Sequence, residues 1–334
     1  MRSSGVSPPE GLANAGFLLR EGSPKPNMSS SFNQRTLSSS VSCQGTGLHT
    51  GCPVTLTLRP APANHGVVFV RTDLPRPVSI PATAEYAVET ALATSLGKDG
   101  VRVGTVEHLL GALIGLGLDN VRVELDGPEV PIMDGSAGPF AYLVQSAGVK
   151  VQEAPKSFVV VKKPILVKEG DKEASLSPCD RFRLDVAIDF GHPLVSRQRL
   201  EMDFSSRAFV REVSRARTFG FLRDVERLKA AGLARGGSLD NAIVVDDFSI
   251  LNADGLRFPD EFVRHKALDA MGDLALFGHP VIGHLKAVKS GHSLHLRLVR
   301  EVLADPTAYA VVQAKQRELE RFGFRLPDFA ADVG

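Results

Sequence analysis

The order of strand and helix signals repeats along this chain, and the repetition limits the folds that it can adopt. In residues 35–150, alternating apolar segments are followed by a helix pattern, a strand pattern and a second helix pattern. The strand patterns at 54–60 and 66–73 are expected to pair. After a candidate linker at 151–157 the same order returns, and it ends in a helix at 260–277. We therefore predict an α+β fold of two similar halves that meet along a cleft, where a site would lie.

Length and charge narrow the functional classes. The 334 residues suggest about two domains, and 39 basic against 38 acidic side chains give no general argument for a nucleic-acid partner. No apolar segment approaches the ~20 residues of a membrane helix, so we expect no integral membrane segment. The cysteines are too few for a disulfide framework, which favours a reducing compartment. We predict a disordered leader at 1–33, a first domain at 34–154 and a second domain at 155–330.

The helix predicted at 260–277 carries an unusual polar stripe. His265, Asp269 and Asp273 recur at intervals of four and lie within about 80° of one another around a helix. A His/Asp pair at this spacing can converge on one cation, and these ligands suit zinc or a similar divalent metal. The alternative is an exposed ion pair, which is the more common arrangement for such a pair taken alone.

A metal site would need another ligand from elsewhere in the chain. The string "TVEHLL" offers one, because Thr105 is predicted to cap a helix whose first turn contains Glu107 and His108. His108 would be a ligand, and Glu107 a base that activates water. A capped surface turn is the alternative. The two patterns together leave a metal-dependent hydrolase and a purely structural arrangement equally open.

Other polar residues lie in glycine-rich strings. His292 follows Gly291 in "KSGHSLH" and is either a general acid or a turn histidine. His49 lies in "GTGLHTG", which misses the dinucleotide-binding fingerprint by one residue. Thr218 in "RARTFGF" lies between basic and aromatic residues, a context that also fits the edge of a strand.

Seven strings of the chain stand in an order that is typical of one family. They are "TGLHTG", "TVEHLLGAL", "PEVPIMDGSAGPF", "SRARTFGF", "NAIVVDD", "DGLRFPDEFVRHKALDAMGDL" and "KSGH". Together they closely resemble the UDP-3-O-acyl-N-acetylglucosamine deacetylases, the zinc amidases of lipid A synthesis, over about residues 33–305. The strings are long and ungapped, so the resemblance is specific.

The resemblance implies a fold and an activity. The fold would have two similar two-layer domains, each a sheet packed on helices, with the helices sandwiched between the sheets and the active site at the domain interface. The activity would be hydrolysis of the N-acetyl group of UDP-3-O-[(3R)-3-hydroxyacyl]-N-acetylglucosamine, which releases acetate and leaves a free amine. This is the committed step of lipid A biosynthesis. One Zn²⁺ per chain is implied, and Fe²⁺ accepts the same ligands. We expect a cytoplasmic monomer.

Roles for single residues follow from the same resemblance. The implied metal ligands are His108, His265 and Asp269. The implied catalytic residues are Glu107 as general base, His292 as the charged histidine, Asp273 as the residue that orients it, and Thr218 as the oxyanion contact.

The resemblance also implies where the substrate binds. An insert at about 219–245 would form a hydrophobic passage. The implied substrate contacts are Lys266 and His49 for phosphate and sugar, Phe190 for stacking on uracil, and Phe219 and Phe221 in the passage.

Two other classes make different demands on the residues. A nucleotide-sugar binding protein with a structural metal would use four protein ligands, and only three are evident. A metal-dependent phosphohydrolase would hold two metals in a denser cluster of Asp and His.

Overall fold

The computed structural model describes residues 32–89, 92–314, 328 and 329. Most of the predicted leader, residues 1–31, lies outside the described residues. The end of the predicted leader is part of the fold, because the first strand begins at Asn33. Within the described part of the chain, no helix combines the length and the apolar character needed to cross a membrane.

Among the described residues, the first half of the chain contains ten strands and two α-helices. The strands are β1 (Asn33–Leu37), β2 (Val41–Thr46), β3 (Pro53–Pro60), β4 (Val67–Arg71), β5 (Val78–Pro81), β6 (Ala87–Glu89), β7 (Ser95–Lys98), β8 (Val101–Val103), β9 (Val121–Leu125) and β10 (Val149–Pro155). The helices are α1 (Glu107–Gly115) and α2 (Gly138–Ala147).

The main sheet of the first half has the strand order β2-β3-β9-β4-β5. Its central strand β9 runs antiparallel to β3 and parallel to β4. The prediction that the segments at 54–60 and 66–73 pair is therefore wrong. Each segment forms a strand, but β9 enters the sheet between them after the chain has crossed through α1.

The described part of the second half contains nine strands and four α-helices. The strands are β11 (Ser157–Val161), β12 (Ile165–Glu169), β13 (Lys172–Ser177), β14 (Phe182–Ile188), β15 (Gln198–Asp203), β16 (Phe219–Phe221), β17 (Ile243–Val245), β18 (Val281–Val288) and β19 (Tyr309–Gln313). The helices are α3 (Ser206–Ala208), α4 (Leu222–Ala230), α5 (Glu261–Leu274) and α6 (His292–Ala304).

The main sheet of the second half repeats the first. Its strands β12, β13, β18, β14 and β15 are adjacent in that order, and β18 runs antiparallel to β13 and parallel to β14. These directions match those of β2, β3, β9, β4 and β5. Strands β11 and β19 extend the second sheet. The predicted pair of similar halves is therefore confirmed at the level of sheet topology.

Helices α1 and α5 lie between the two main sheets. A single buried apolar cluster runs from Leu58 and Val123 in the first sheet, through Leu110 in α1 and Leu268 in α5, to Leu285 in the second sheet. Burial of this surface is the main force that holds the two halves together. The predicted order of layers, with helices between sheets, agrees with this core.

Two local predictions are wrong. The candidate linker at 151–157 lies mostly in β10, which pairs antiparallel with β1 and so has backbone partners along its length. Thr105 does not cap α1 with its side chain: it adopts a φ of 54°, and its hydroxyl donates to Glu129 Oε1 at 2.7 Å. The predicted domain boundary between residues 154 and 155 stays a prediction.

The two central helices approach closely at Gly272 of α5. A Cβ added at Gly272 would lie 2.1 Å from the backbone oxygen of Glu107, at the start of α1. Real Cβ atoms do not approach a carbonyl oxygen so closely, and a backbone atom cannot yield as a flexible side chain can. Only glycine therefore permits this contact, which brings the polar stripe of α5 against the first turn of α1.

We expect Gly272→Ala to separate these helices and to destabilise the protein. Overpacking of this kind outweighs the gain in helix propensity and should lower the thermal unfolding midpoint by roughly 3–8 °C. The measurement is calorimetry on metal-free protein. Gly220→Ala is the matched control, because a Cβ added there meets nothing within 4 Å. Equal midpoints for the two variants would contradict the close approach.

Candidate metal centre and active site

The polar stripe of α5 and the first turn of α1 are both buried at the helix crossing. His108, Glu107, His265, Asp269 and Asp273 are each between 0% and 4% exposed. The alternative interpretations, an exposed ion pair on α5 and a capped surface turn on α1, are therefore wrong. Buried ionisable groups of this density are retained where they pair with one another or bind a cation.

Three of these side chains converge as metal ligands do. Asp269 Oδ1 lies 3.5 Å from His108 Nε2 and 3.3 Å from His265 Nε2, and all three atoms lie within 4.8 Å of one another. Ligands bound to zinc at ~2.0–2.1 Å in tetrahedral geometry stand about 3.3 Å apart. Among the described residues, the buried Asp269 Oδ1 has no hydrogen-bond partner. An orphaned carboxylate oxygen facing two imidazole nitrogens fits a divalent cation.

The second polar atoms of His265 and Asp269 are held in place by the chain. His265 Nδ1 lies 3.1 Å from the Ala216 carbonyl oxygen, which fixes the tautomer that leaves a lone pair on Nε2. Burial lowers the pKa of His265 to about 3, against the opposing charge of Asp269, so the ring is neutral and able to bind a metal. Lys266 Nζ donates to Asp269 Oδ2 at 2.7 Å. Burial alone would raise the pKa of the Asp269 carboxyl, but the neighbouring imidazoles and the Lys266 ammonium outweigh burial and keep the pKa well below its usual value.

Glu107 lies beside these ligands with a different set of contacts. Its Oε2 accepts the backbone N–H of Thr94 at 3.0 Å, and its Oε1 lies 3.8 Å from His292 Nε2. Burial raises the pKa of Glu107, while the charges of His292 and His108 oppose the rise. A carboxylate with a raised pKa next to a metal position is suited to accept a proton from water.

Asp273, one turn beyond Asp269, contacts a different set of side chains from the metal ligands. Its Oδ2 accepts a hydrogen bond from His292 Nδ1 at 2.8 Å. Burial lowers the pKa of His292, but the carboxylates of Asp273 and Glu107 outweigh it and raise the pKa to about 9. The ring therefore carries a proton at neutral pH and presents Nε2 beside Glu107.

One cavity brings the predicted site residues together. Every predicted site residue except Asp273 lines a cavity of about 470 Å³. These residues are His49, Glu107, His108, Phe190, Thr218, Phe219, Phe221, His265, Lys266, Asp269 and His292. Asp273 is fully buried behind His292. The backbone of Thr218 is fixed by hydrogen bonds to Gly135 and Ile243.

A second, more apolar cavity of about 400 Å³ shares His49, Thr218 and Phe219 with the first. The predicted insert forms much of its wall through β16, α4 and β17, and β16 pairs in parallel with β17. Leu222, Val225, Leu228, Leu239 and Leu251 supply aliphatic surface there. A cleft with polar groups at one end and an aliphatic arm at the other suits an amphipathic small molecule.

Three buried residues contact the site but were not among the predicted ones. Thr94 holds both Glu107 and Asp273, and no local pattern marks it. Glu129 accepts the backbone N–H groups of His49 and Thr50 as well as the Thr105 hydroxyl, so it ties the His49 loop to the start of α1. Glu129 lies within the string "PEVPIMDGSAGPF", one of those that carry the family resemblance. His295 contacts Asp273, one helical turn beyond His292.

Comparison with known proteins shows the family to which the chain belongs. The model of the LpxC family, UDP-3-O-acyl N-acetylglycosamine deacetylase, matches residues 34–304. A protein of Myxococcus xanthus named UDP-3-O-acyl-N-acetylglucosamine deacetylase is 68% identical over 294 residues, which are 88% of this chain and 94% of the relative. Proteins of the same name from Anaeromyxobacter dehalogenans and Photobacterium profundum are 60% identical over 283 residues and 57% identical over 290 residues. They cover 85% of this chain in each case, and 91% and 95% of their own lengths. The chain therefore belongs to the UDP-3-O-acyl N-acetylglycosamine deacetylase family, whose members are metal-dependent amidases.

Proposed function

We propose that this chain hydrolyses the N-acetyl group of UDP-3-O-[(3R)-3-hydroxyacyl]-N-acetylglucosamine with one Zn²⁺ per chain. The products are acetate and the free glucosamine amine, at the committed step of lipid A biosynthesis. The observation that carries the proposal is the orphaned Asp269 Oδ1, which faces the Nε2 atoms of His108 and His265 beneath a cleft with an aliphatic arm. The names of the curated relatives support the choice of substrate.

His108, His265 and Asp269 would hold the metal. Three protein ligands leave a coordination position open, which is typical of catalytic rather than structural sites. The bound ion would supply Lewis acidity, which lowers the pKa of water from ~16 to roughly 7 and polarises the acetamide carbonyl. Zn²⁺ is our choice of metal, and Fe²⁺ is the other ion that these ligands accept.

Glu107 is the proposed general base. Its Oε2 is held by the Thr94 N–H, which leaves Oε1 on the side of His292 Nε2. The carboxylate would take a proton from water as the water oxygen attacks the acetamide carbon. Because burial favours the neutral acid, the carboxyl group can hold that proton until the amide bond breaks.

His292 and Thr218 would act on the developing charges. The protonated His292 imidazole, held through Nδ1 by Asp273, presents Nε2–H to the oxyanion or to the leaving amine. Thr218 lines the same cavity and would contribute a further oxyanion contact. Because such an acid can protonate the leaving nitrogen, the amine does not have to leave as an unstable anion.

The polar and the aliphatic arm of the cleft would bind different parts of the substrate. Lys266 and His49 would contact phosphate and sugar, and Phe190 would stack on uracil. Phe219 and Phe221, on β16, would line the way to the acyl passage. The rings of Phe190 and Phe219 stand edge to face with centroids 5.4 Å apart, so the two arms meet at this pair. We propose that the chain acts as a monomer in the cytoplasm.

The function is tested by an acetate-release assay on the acylated nucleotide sugar, with metal-free and Zn²⁺-reloaded protein. We expect release only from the reloaded protein and strong inhibition by a hydroxamate that chelates an open metal position. Binding of the nucleotide sugar without release would favour a binding protein with a structural metal. Release of phosphate instead of acetate would favour a phosphohydrolase.

Asp269→Ala should lose the metal, whereas Asp273→Asn should keep it. Loss of a residue that only hydrogen-bonds to a ligand lowers metal affinity by ~10–100-fold, and loss of the ligand itself should lower it at least as much. Asp273 is the matched control, because it lies on the same helix and is equally buried. The measurement is elemental analysis after dialysis. Full metal content in the Asp269 variant would contradict the ligand assignment.

Glu107→Gln should retain the metal and lose turnover. The amide keeps the size of the carboxyl but cannot accept the proton, so kcat for acetate release should fall by about 10²–10⁴-fold. Steady-state assays at several substrate concentrations would separate this fall from a change in KM. Turnover near that of the unaltered chain would show that Glu107 is not the general base.

A further inference from the structure

Asp273 is held by more groups than the orientation of one histidine requires. Its Oδ2 accepts the Nδ1–H of His292 and the Nδ1–H of His295, each at 2.8 Å. Its Oδ1 accepts the hydroxyl of Thr94 at 2.5 Å. Beyond the second ring, Ser290 Oγ lies 2.8 Å from His295 Nε2. A hydrogen-bonded chain thus runs from Ser290 through His295 and Asp273 to His292.

The spacing on α6 explains how two rings meet one carboxylate. His292 and His295 are three residues apart at the start of the helix, so both side chains lie on the face that packs against α5. His295 is 1% exposed and Asp273 is fully buried, whereas His292 is 8% exposed and lines the cavity. His295 is therefore too deep to touch a substrate directly.

This cluster is a hydrogen-bonded group rather than a second metal centre. The atoms of Asp273, His292 and His295 could in principle face one ion. Ligands around a shared zinc stand about 3.3 Å apart, whereas both nitrogens here lie 2.8 Å from Oδ2, the distance of a direct hydrogen bond. By contrast, Asp269 Oδ1 lies 3.5 Å from His108 Nε2 and 3.3 Å from His265 Nε2, and these distances match those between ligands of one ion.

We propose that His295 is a positioning residue for the reaction: through Asp273 it fixes the His292 imidazole at the edge of the cavity. The inference rests on the proposed function, because His292 acts on substrate only in that reaction. Ser290 in turn fixes His295, by donating its hydroxyl to Nε2 when the Nδ1 proton is on the side of Asp273.

The physical reason is the torsional freedom of a carboxylate. Thr94 anchors Oδ1, so the position of Oδ2 is set by the two imidazoles. The terminal torsion of Asp is soft, and without His295 a buried acceptor would lose one of its partners. The carboxylate would then turn and carry the His292 ring with it. A displacement of ~1 Å at a reacting group can lower a rate by about 10²-fold.

The variants His295→Leu and His295→Asn separate positioning from packing. Leucine fills the site without a donor, whereas the asparagine amide nitrogen is as many bonds from Cβ as histidine Nδ1 and can donate to Asp273. For His295→Leu we expect kcat for acetate release to fall by roughly 10–100-fold, with KM within ~3-fold and metal content unchanged. For His295→Asn we expect kcat within ~3-fold of the unaltered chain.

Two kinetic outcomes would overturn the inference. One is a kcat for His295→Leu equal to that of the unaltered chain, which would make the contact to Asp273 irrelevant to rate. The other is an Asn variant as slow as the Leu variant, because the restored donor would then have no effect.

A measurement on the unaltered protein tests the contact between His295 and Asp273 even if His295→Leu does not fold or no acetate is released. Nitrogen–proton correlation spectra of the ¹⁵N-histidine-labelled full chain report which ring nitrogen of His295 carries the proton, and loss of a signal in His295→Asn assigns it. We expect the proton on Nδ1. An unprotonated Nδ1 would overturn the inference, since the ring could not donate to Asp273. Failure of acetate release alone would reject the proposed function and leave this result standing.

Discussion

The contact on which the candidate active site depends is the close approach of α5 to the start of α1 at Gly272. The lack of a side chain there lets the two helices touch backbone to backbone. Asp269 and His108 then lie 3.5 Å apart at their nearest polar atoms, although they are far apart in the chain. Each half contributes one of these helices, so the site exists only where the two halves meet.

This arrangement buries several ionisable groups, which desolvation disfavours. The chain groups them in two separate clusters, centred on two carboxylates of α5. Asp269 accepts a hydrogen bond from the Lys266 ammonium at Oδ2 and presents Oδ1 to two imidazoles, while Asp273 accepts hydrogen bonds from two other imidazoles and the Thr94 hydroxyl. The pKa values of two histidines diverge accordingly: the pKa of His265 falls to about 3, and the pKa of His292 rises to about 9. One histidine is therefore neutral and suited to a metal, and the other is charged and suited to an oxyanion.

The sequence was most informative where chemistry and periodicity coincide. The four-residue spacing of His265, Asp269 and Asp273 predicted one helix face, and the helix does run from Glu261 to Leu274. Local patterns failed where long-range partners decide the outcome. Strand β9 separates β3 from β4, and the backbone of Thr105 adopts a positive φ as its hydroxyl bonds Glu129. No pattern near either segment reveals such a partner.

The sequence by itself determined the repeated order of elements, the spacing of the polar stripe and, through seven ordered strings, the family. These features are local or are preserved as strings of residues, so they can be read without coordinates. Only the tertiary structure decided that the stripe is buried, that Asp269 Oδ1 lacks a partner among the described residues, and that Thr94, Glu129 and His295 belong to the site. Burial and pairing arise when segments distant in the chain pack together, and the sequence of each segment alone does not specify its partner.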